Sequence, residues 1–448
     1  MEYYIIVFIV FVLFAIRKEK ILDFSSFLLV SCLYIMCYGI VPLVILWVDV
    51  PNSYIGPMGN IAYDPVVHRY RYFNASTLAF ISYFFFWFGY RITAFKKKVL
   101  FHTYLDSYNV KKLFKITKCV FLSGTVFLIL YILLFGSISN MLLANRRMAY
   151  GGEAEVEVES PYLFLIVLAK VIVFCSYMFW GMRKINNGKV KIFFYLSLLL
   201  SLFLLFRFSG RMILMTFIAT FTLSSFILKQ KLPKLKFVIL VALGGFIILF
   251  GKAIFKSFLY EDAFSKRQEY YSNADPVLTP FLDIIGGFSF PYRNLLHYYE
   301  YSGFGYFIDI IQFPLYILPR RIFPVTPVET TIEVNTMNIL GIPGGIMPPD
   351  IVTYGLLNLG MVGVILIAFS FGVLCKYIDS YQRKGAPALS IIVIIALIFI
   401  VGFRVMYFNP KQLTTGYFYF FMTLAVIRWL KPKKKYVLNP FKSSHNES

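Results

Sequence analysis

The chain has 448 residues, of which 59% are hydrophobic and 19% aromatic, with 50 Phe and 33 Tyr. A soluble domain cannot hide that much apolar surface, so soluble enzymes and binding modules are excluded. The net charge of +22 does not point to nucleic acid, because most lysines lie in short loops between apolar runs, where they act as topology signals and attract anionic lipid.

Taken in chain order, apolar runs near the length that spans a bilayer recur throughout. They predict eleven helices, near 3–16, 21–48, 73–93, 114–136, 161–182, 191–207, 211–228, 236–251, 351–374, 388–405 and 414–430. No basic segment precedes the first run, and Arg17-Lys18-Glu19-Lys20 follows it. That pattern predicts a retained segment with its N-terminus outside. Every predicted inner loop then carries Lys or Arg, and Lys431, Lys433, Lys434 and Lys435 place the C-terminus inside. The expected organisation is eight membrane helices over 1–251, a large outer loop over 252–350, three more helices over 351–430 and a basic tail over 431–448. Cys32, Cys37, Cys119, Cys175 and Cys375 all fall in or at the inner ends of these helices. Their positions and spacings exclude a disulfide framework and a zinc site, and they are expected to be small core residues.

Fifteen basic residues fall on the predicted outer side, and eleven of them are arginine; on the inner side five of twenty-eight are. Topology does not ask for outer arginines. A guanidinium keeps its charge when partly dehydrated, and its donor fork matches phosphate oxygens. An arginine-rich outer face therefore points to a bound anion, with phosphate first among the possibilities.

Four outer segments carry candidate chemistry. Arg207-Phe-Ser-Gly-Arg211 predicts a tight turn that holds two guanidiniums at the outer surface. Asn145-Arg146-Arg147 precedes the acidic run Glu153, Glu155, Glu157 and Glu159, which offers Arg147 a solvated alternative partner. The long loop, too long for a simple connection, contains Pro291-Tyr-Arg293-Asn294-Leu-Leu-His297 and Pro319-Arg320-Arg321-Ile-Phe-Pro324. Its stretch 304–319 is apolar enough to lie on the membrane or re-enter it. His297 is the loop's single histidine and is suited to taking a proton from a hydroxyl. Glu329, Glu333 and Asp350 are the acidic alternatives. Asp350 follows Gly344-Gly345 and Pro348-Pro349 and leads directly into the ninth helix, where an aspartate is a good N-cap. No Walker A motif, dinucleotide fingerprint or outer Asp-x-Asp occurs, so no cofactor and no metal are expected.

These residues bring a family into view. The chain resembles the bacterial O-antigen polymerases, the Wzy-type oligosaccharide repeat-unit polymerases. The likeness rests on the eleven spans, the Phe-Ser-Gly-Arg211 turn, Asn-Arg-Arg147, and the long outer loop with Pro319-Arg-Arg-Ile-Phe-Pro324. It also rests on Pro343-Gly-Gly-Ile-Met-Pro-Pro349, followed by Tyr354-Gly-Leu-Leu-Asn358-Leu-Gly360. Many relatives carry a glutamate after the proline pair where this chain has Thr353, so that acid role does not transfer. The resemblance implies an all-α polytopic membrane protein with a C-type glycosyltransferase-like fold, working on the outer face of the bacterial inner membrane. A growing glycan on undecaprenyl diphosphate would pass, with inversion and without metal, to the non-reducing sugar of a lipid-linked repeat unit. Arg207, Arg211, Arg320 and Arg321 would hold the diphosphate and Arg147 and Arg293 assist, with His297 and Arg211 acting in catalysis. The expected partners are the lipid-linked donor and acceptor, membrane lipid and a chain-length regulator; nucleic acid is not among them. Rival readings are an O-antigen ligase, which shares fold and donor, a lipid-linked oligosaccharide flippase, and a membrane acyltransferase. The long outer loop and the lack of two related halves argue against a flippase, and the lack of an essential histidine beside the membrane helices against an acyltransferase.

Overall fold

The computed structural model describes residues 1–19, 24–48, 66–97, 107–134, 136, 163–182, 188–207, 211–229, 263–272, 275–298, 305–312, 331–341, 347–381, 386, 388–410, 417 and 420. They form an all-helical protein, with no β-strand among the described residues. Among the described residues, six helices are long and apolar enough to cross a membrane: Ser26–Trp47, Lys111–Leu134, Leu165–Met182, Gly188–Leu205, Ile351–Asp379 and Ala388–Val405. The shorter Glu2–Lys18 helix and the aromatic Arg69–Ile92 helix pack among them. The predicted eighth span, 236–251, lies outside the described residues, as does nearly all of the eleventh.

The surface of the bundle has the composition of a core. On the Ser107–Leu134 helix, Leu122, Val126, Ile129, Leu130 and Leu133 are exposed, while Phe121, Leu128 and Tyr131 on the other side are buried. An apolar outer stripe of that kind needs lipid rather than water around it. Inside, hydroxyl pairs join neighbouring helices, Ser31 to Tyr83 at 3.0 Å and Tyr34 to Ser82 at 2.8 Å. Such interhelical polar contacts are common glue where apolar burial gives no preference between lipid and protein. Of the cysteines, Cys37, Cys175 and Cys375 are buried as expected, whereas Cys32 and Cys119 are exposed on the bundle surface.

Contacts between helix ends fix the relative directions. At one end, the Trp87 indole donates to Glu19 at 3.0 Å, and the Asp379 carboxylate accepts the amides of Ser26 and Phe27 at 2.9 and 3.1 Å. Lys376 lies 4.3 Å from the centre of the Tyr90 ring. Arg17, Lys18 and Arg91 belong to this basic end. At the opposite end, Tyr38 meets Asp350. The Arg69–Ile92 and Ile351–Asp379 helices therefore run parallel, and closely. A Cβ on Gly89 would overlap the Phe369 carbonyl, and one on Gly372 would overlap the Phe86 carbonyl. Glycine at these two positions lets the backbones touch.

The predicted ninth helix, 351–374, is not one rod. Leu359 (φ −141°) and Gly360 (φ 59°, ψ −142°) leave helical geometry, and the chain folds back on itself. A Cβ on Gly363 would meet the Gly355 carbonyl oxygen, and one on Gly355 would sit 2.7 Å from the Val364 amide. Gly360 holds a conformation that is essentially reserved for glycine. Residues 351–358, all buried, make a short helix of their own, and the crossing helix begins near Met361. Nineteen residues from there to Asp379, at about 1.5 Å per residue, still suffice to span a bilayer.

A break of this kind strands the carbonyls that end the short helix. A strap from the long loop takes them: Gly305 N donates to Leu357 O at 2.9 Å, and Tyr306 N to Asn358 O at 3.1 Å. Phe307 N donates to Asn358 Oδ1 at 2.6 Å. Tyr306 and Phe307 adopt left-handed backbone to do so, with φ of 50° and 56°. Of the stretch 304–319 expected to lie on or re-enter the membrane, residues 305–312 form this strap, and 313–319 lie outside the described residues. Four further helices lie in the described part of the loop, Ala263–Ser272, Leu278–Gly286, Phe290–His297 and Thr331–Leu340.

Candidate functional site

The site is built on the short Phe290–His297 helix. Pro291, in its first turn, suits a helix start, and Tyr292 fastens it to the bundle. The Tyr292 hydroxyl donates to Tyr72 O at 3.1 Å and pairs with Ser76 Oγ at 3.0 Å. Arg71 Nη1 donates to Leu296 O at 3.1 Å and so satisfies a terminal carbonyl. One side of the helix is thus locked to Arg69–Ile92. Another side faces Asp350.

Asp350 is fully buried and is the N-cap of the Ile351–Asp379 helix. Its Oδ1 accepts from Val352 N at 3.0 Å, Thr353 N at 3.1 Å and the Tyr38 hydroxyl at 2.6 Å. Its Oδ2 accepts from Thr353 Oγ1 at 2.5 Å and Asn294 Nδ2 at 3.4 Å. Burial pushes this carboxyl above the ordinary carboxylate range, and the hydrogen bonds from Thr353, Tyr38 and Asn294 oppose that shift. A carboxylate has about four lone-pair sites, and here five donors converge on it. No lone pair is left for a substrate proton. Asp350 is a junction holding three elements together.

Tyr38 reaches this junction because its helix is distorted. Residues Ile35–Ile40 form a π-turn, directly before Pro42. Pro42 has no N–H to give the carbonyl four residues earlier, which is that of Tyr38, and a wide turn at that place accommodates the gap.

Arg293 stands apart from this well-satisfied network. It is half-buried, and its Nε is buried with no acceptor. Among the described residues its side chain makes no hydrogen bond, ion pair or ring contact. Partial desolvation lowers its pKa from the ordinary arginine range, although the guanidinium remains charged at any physiological pH. One turn further on, at i+4 and so on the same helix face, is the buried His297. No family model matches the chain, and no curated protein or solved structure matches it.

The other candidates divide into two groups. Glu333 lies on the Thr331–Leu340 helix, which packs against both Phe290–His297 and Ile351–Asp379. The elements that carry Arg293 and His297, Glu333, and Asp350 therefore pack against one another. Arg207 ends one helix and Arg211 begins the next. Phe217 and Phe221 pack on Tyr177 and Trp180 in parallel sense, and Gly181 abuts Leu389, just past the basic end. Both arginine positions therefore fall toward the Asp350 end of the bundle, with their side chains outside the described residues. Arg147, Arg320, Arg321 and Glu329 also lie outside them.

Several residues here were not among the sequence candidates: Tyr38, Asn294, Thr353, Arg71 and Arg404. Arg404 is buried where the Ala388–Gly402 helix gives way to a 3-10 turn. It donates to Ile400 O at 3.1 Å, Tyr407 O at 3.3 Å and the Tyr417 hydroxyl at 3.3 Å. The segment it fixes continues to Phe408, whose amide donates to Pro349 O at 2.9 Å and whose ring lies 4.5 Å from that of Tyr354. An arginine at the end of an apolar run was the available signal, and it reads equally well as a topology residue.

Proposed function

We propose that this protein polymerises lipid-linked oligosaccharide repeat units, as a Wzy-type membrane glycosyltransferase. The observation that carries the reading is the Arg293 guanidinium, half-buried, charged and without a partner among the described residues, at the Asp350 end of a membrane bundle. An unpaired desolvated charge is costly, and an anionic ligand offsets the cost. A lipid diphosphate supplies such an anion at the membrane surface. The proposal includes eleven spans in a C-type glycosyltransferase-like arrangement, in a bacterial inner membrane, with residues 252–350 on its outer face.

In the proposed reaction a hydroxyl of the incoming repeat unit attacks the anomeric carbon of the growing glycan from the side opposite the diphosphate. The new glycosidic C–O bond forms as the bond to the diphosphate oxygen breaks, which inverts the anomeric centre. Undecaprenyl diphosphate leaves with the bonding electrons. Arg293 would stabilise that developing charge, with Arg207, Arg211, Arg147, Arg320 and Arg321 as the further guanidiniums of the outer face. His297 is the proposed acceptor of the hydroxyl proton. Asp350 is left out of the chemistry, because its lone pairs are occupied.

The test is a gel of surface polysaccharide from a strain lacking the gene. A deletion that leaves lipid A core, or the corresponding acceptor, carrying a single repeat supports a polymerase. Bare core with long polymer held on the lipid carrier identifies a ligase instead. Bare core with only single lipid-linked repeats retained inside identifies a flippase and overturns the proposal.

A further inference from the structure

Asn294 is almost fully buried, and its amide orientation is fixed by chemistry. The nitrogen faces two acceptors, Pro348 O at 3.1 Å and Asp350 Oδ2 at 3.4 Å. A carbonyl oxygen in that place would meet two other oxygens with no proton between them, so the flipped rotamer is excluded. Oδ1 must therefore point away from the Asp350 junction, and it is buried there without a donor among the described residues. Every other atom of the junction is satisfied. Leaving one acceptor of such a network unmet is destabilising, a penalty that an aliphatic residue of similar volume would avoid.

The orphan acceptor and the orphan donor Nε of Arg293 lie on consecutive residues of one helix pinned at Tyr292 and Leu296, so their side chains leave it about 100° apart and border one helix edge. A group that lacks a hydroxyl donor and one that lacks an anion, on one edge of a short pinned helix, match the two halves of an extended ligand such as a glycosyl diphosphate. We infer that Asn294 Oδ1 accepts a hydrogen bond from a sugar hydroxyl of the lipid-linked substrate, and is a specificity residue for the glycan as Arg293 is for the diphosphate. Asp350 acts through it as a positioning residue: by accepting from Nδ2 it turns Oδ1 toward the ligand. This inference rests on the glycosyl-transfer reading and adds the group that recognises sugar.

The experiment compares two probes on the full-length protein in detergent: undecaprenyl diphosphate alone, and undecaprenyl diphosphate carrying the single repeat unit purified from the source organism. Asn294→Leu is expected to weaken binding of the sugar-bearing lipid by up to about tenfold, the size of one neutral hydrogen bond, and to leave binding of the bare lipid unchanged. Asn294→Asp, protonated where it faces the Asp350 carboxylate, keeps an oxygen at the Oδ1 position and one donor toward Pro348 O or Asp350 Oδ2. It is expected to retain the preference for the sugar-bearing lipid. If folded Asn294→Leu binds both probes like the wild type, Oδ1 is met only by water and the inference is overturned, while the diphosphate reading stands. Should Asn294→Leu fail to fold, Asn294→Asp decides: a retained preference supports the inference, and a lost one overturns it. If the wild type binds neither lipid, the glycosyl-transfer reading falls and the inference falls with it.

Discussion

Arg293→Ala is expected to lower glycan transfer by about 10²–10³-fold, the usual loss when one preorganised donor to a developing negative charge is removed. The same substitution is expected to leave thermal stability unchanged or slightly higher. These two effects together set Arg293 apart from a structural arginine. A structural guanidinium has protein acceptors that its removal orphans, whereas Arg293 has none among the described residues, and its Nε is buried without an acceptor. Deleting it relieves a desolvated charge, a trade of stability against function that is common at active sites. Arg293→Lys keeps the charge but replaces the fork with a point, so activity should fall between wild type and alanine. Rates on lipid-linked repeat units and melting temperatures in detergent check both halves. Wild-type activity in Arg293→Ala, or a lost activity explained by a large drop in melting temperature, would refute the assignment.

Asp350→Leu is expected to have the opposite signature, a collapse of folded protein. The change removes the acceptor from the Tyr38 and Thr353 hydroxyls, the Asn294 amide and two backbone N–H groups at once. Each buried donor left unmet costs about 1–3 kcal/mol, and the lost N-cap adds about 1 kcal/mol. Even with partial relaxation, about 4 kcal/mol or more should be lost, enough to unfold many domains. Asp350→Asn retains the cap and an acceptor for Tyr38 and turns a donor toward Asn294, so its cost should be nearer 1–2 kcal/mol. Folded yield by gel filtration and thermal unfolding measure the difference. An Asp350→Leu protein as stable as wild type would show that the junction does not hold the three elements together.

Much of the helical scaffold is legible in the chain because long apolar runs have few alternatives in a bilayer. The predicted spans near 73–93, 191–207 and 211–228 correspond to Arg69–Ile92, Gly188–Arg207 and Arg211–Lys229. The breaks are not legible in the same way. Leu359–Gly360 looks like one more glycine in an apolar run, and the fold-back becomes evident only through the touching of Gly355 and Gly363 and the strap at Asn358. The π-turn at Ile35–Ile40 has the composition of its neighbours, with Pro42 as its single local sign. At the site, Asp350 before an apolar helix is recognisable as a cap. Its bond to Tyr38 joins positions 312 residues apart, and one sequence contains nothing that pairs them. Arg293 stands out by residue type, but its lack of a side-chain partner among the described residues is a property of the packed structure.

The central claim is most directly tested with the purified full-length protein in liposomes, supplied with lipid-linked repeat units and no other enzyme. The expected result is a ladder of lipid-linked glycans growing by one repeat per step, with undecaprenyl diphosphate released at each step. The ladder should be absent with Arg293→Ala protein that unfolds at or above the wild-type temperature. Wild-type liposomes that leave the repeat units unextended and release no undecaprenyl diphosphate, although the protein is folded, would contradict the proposal.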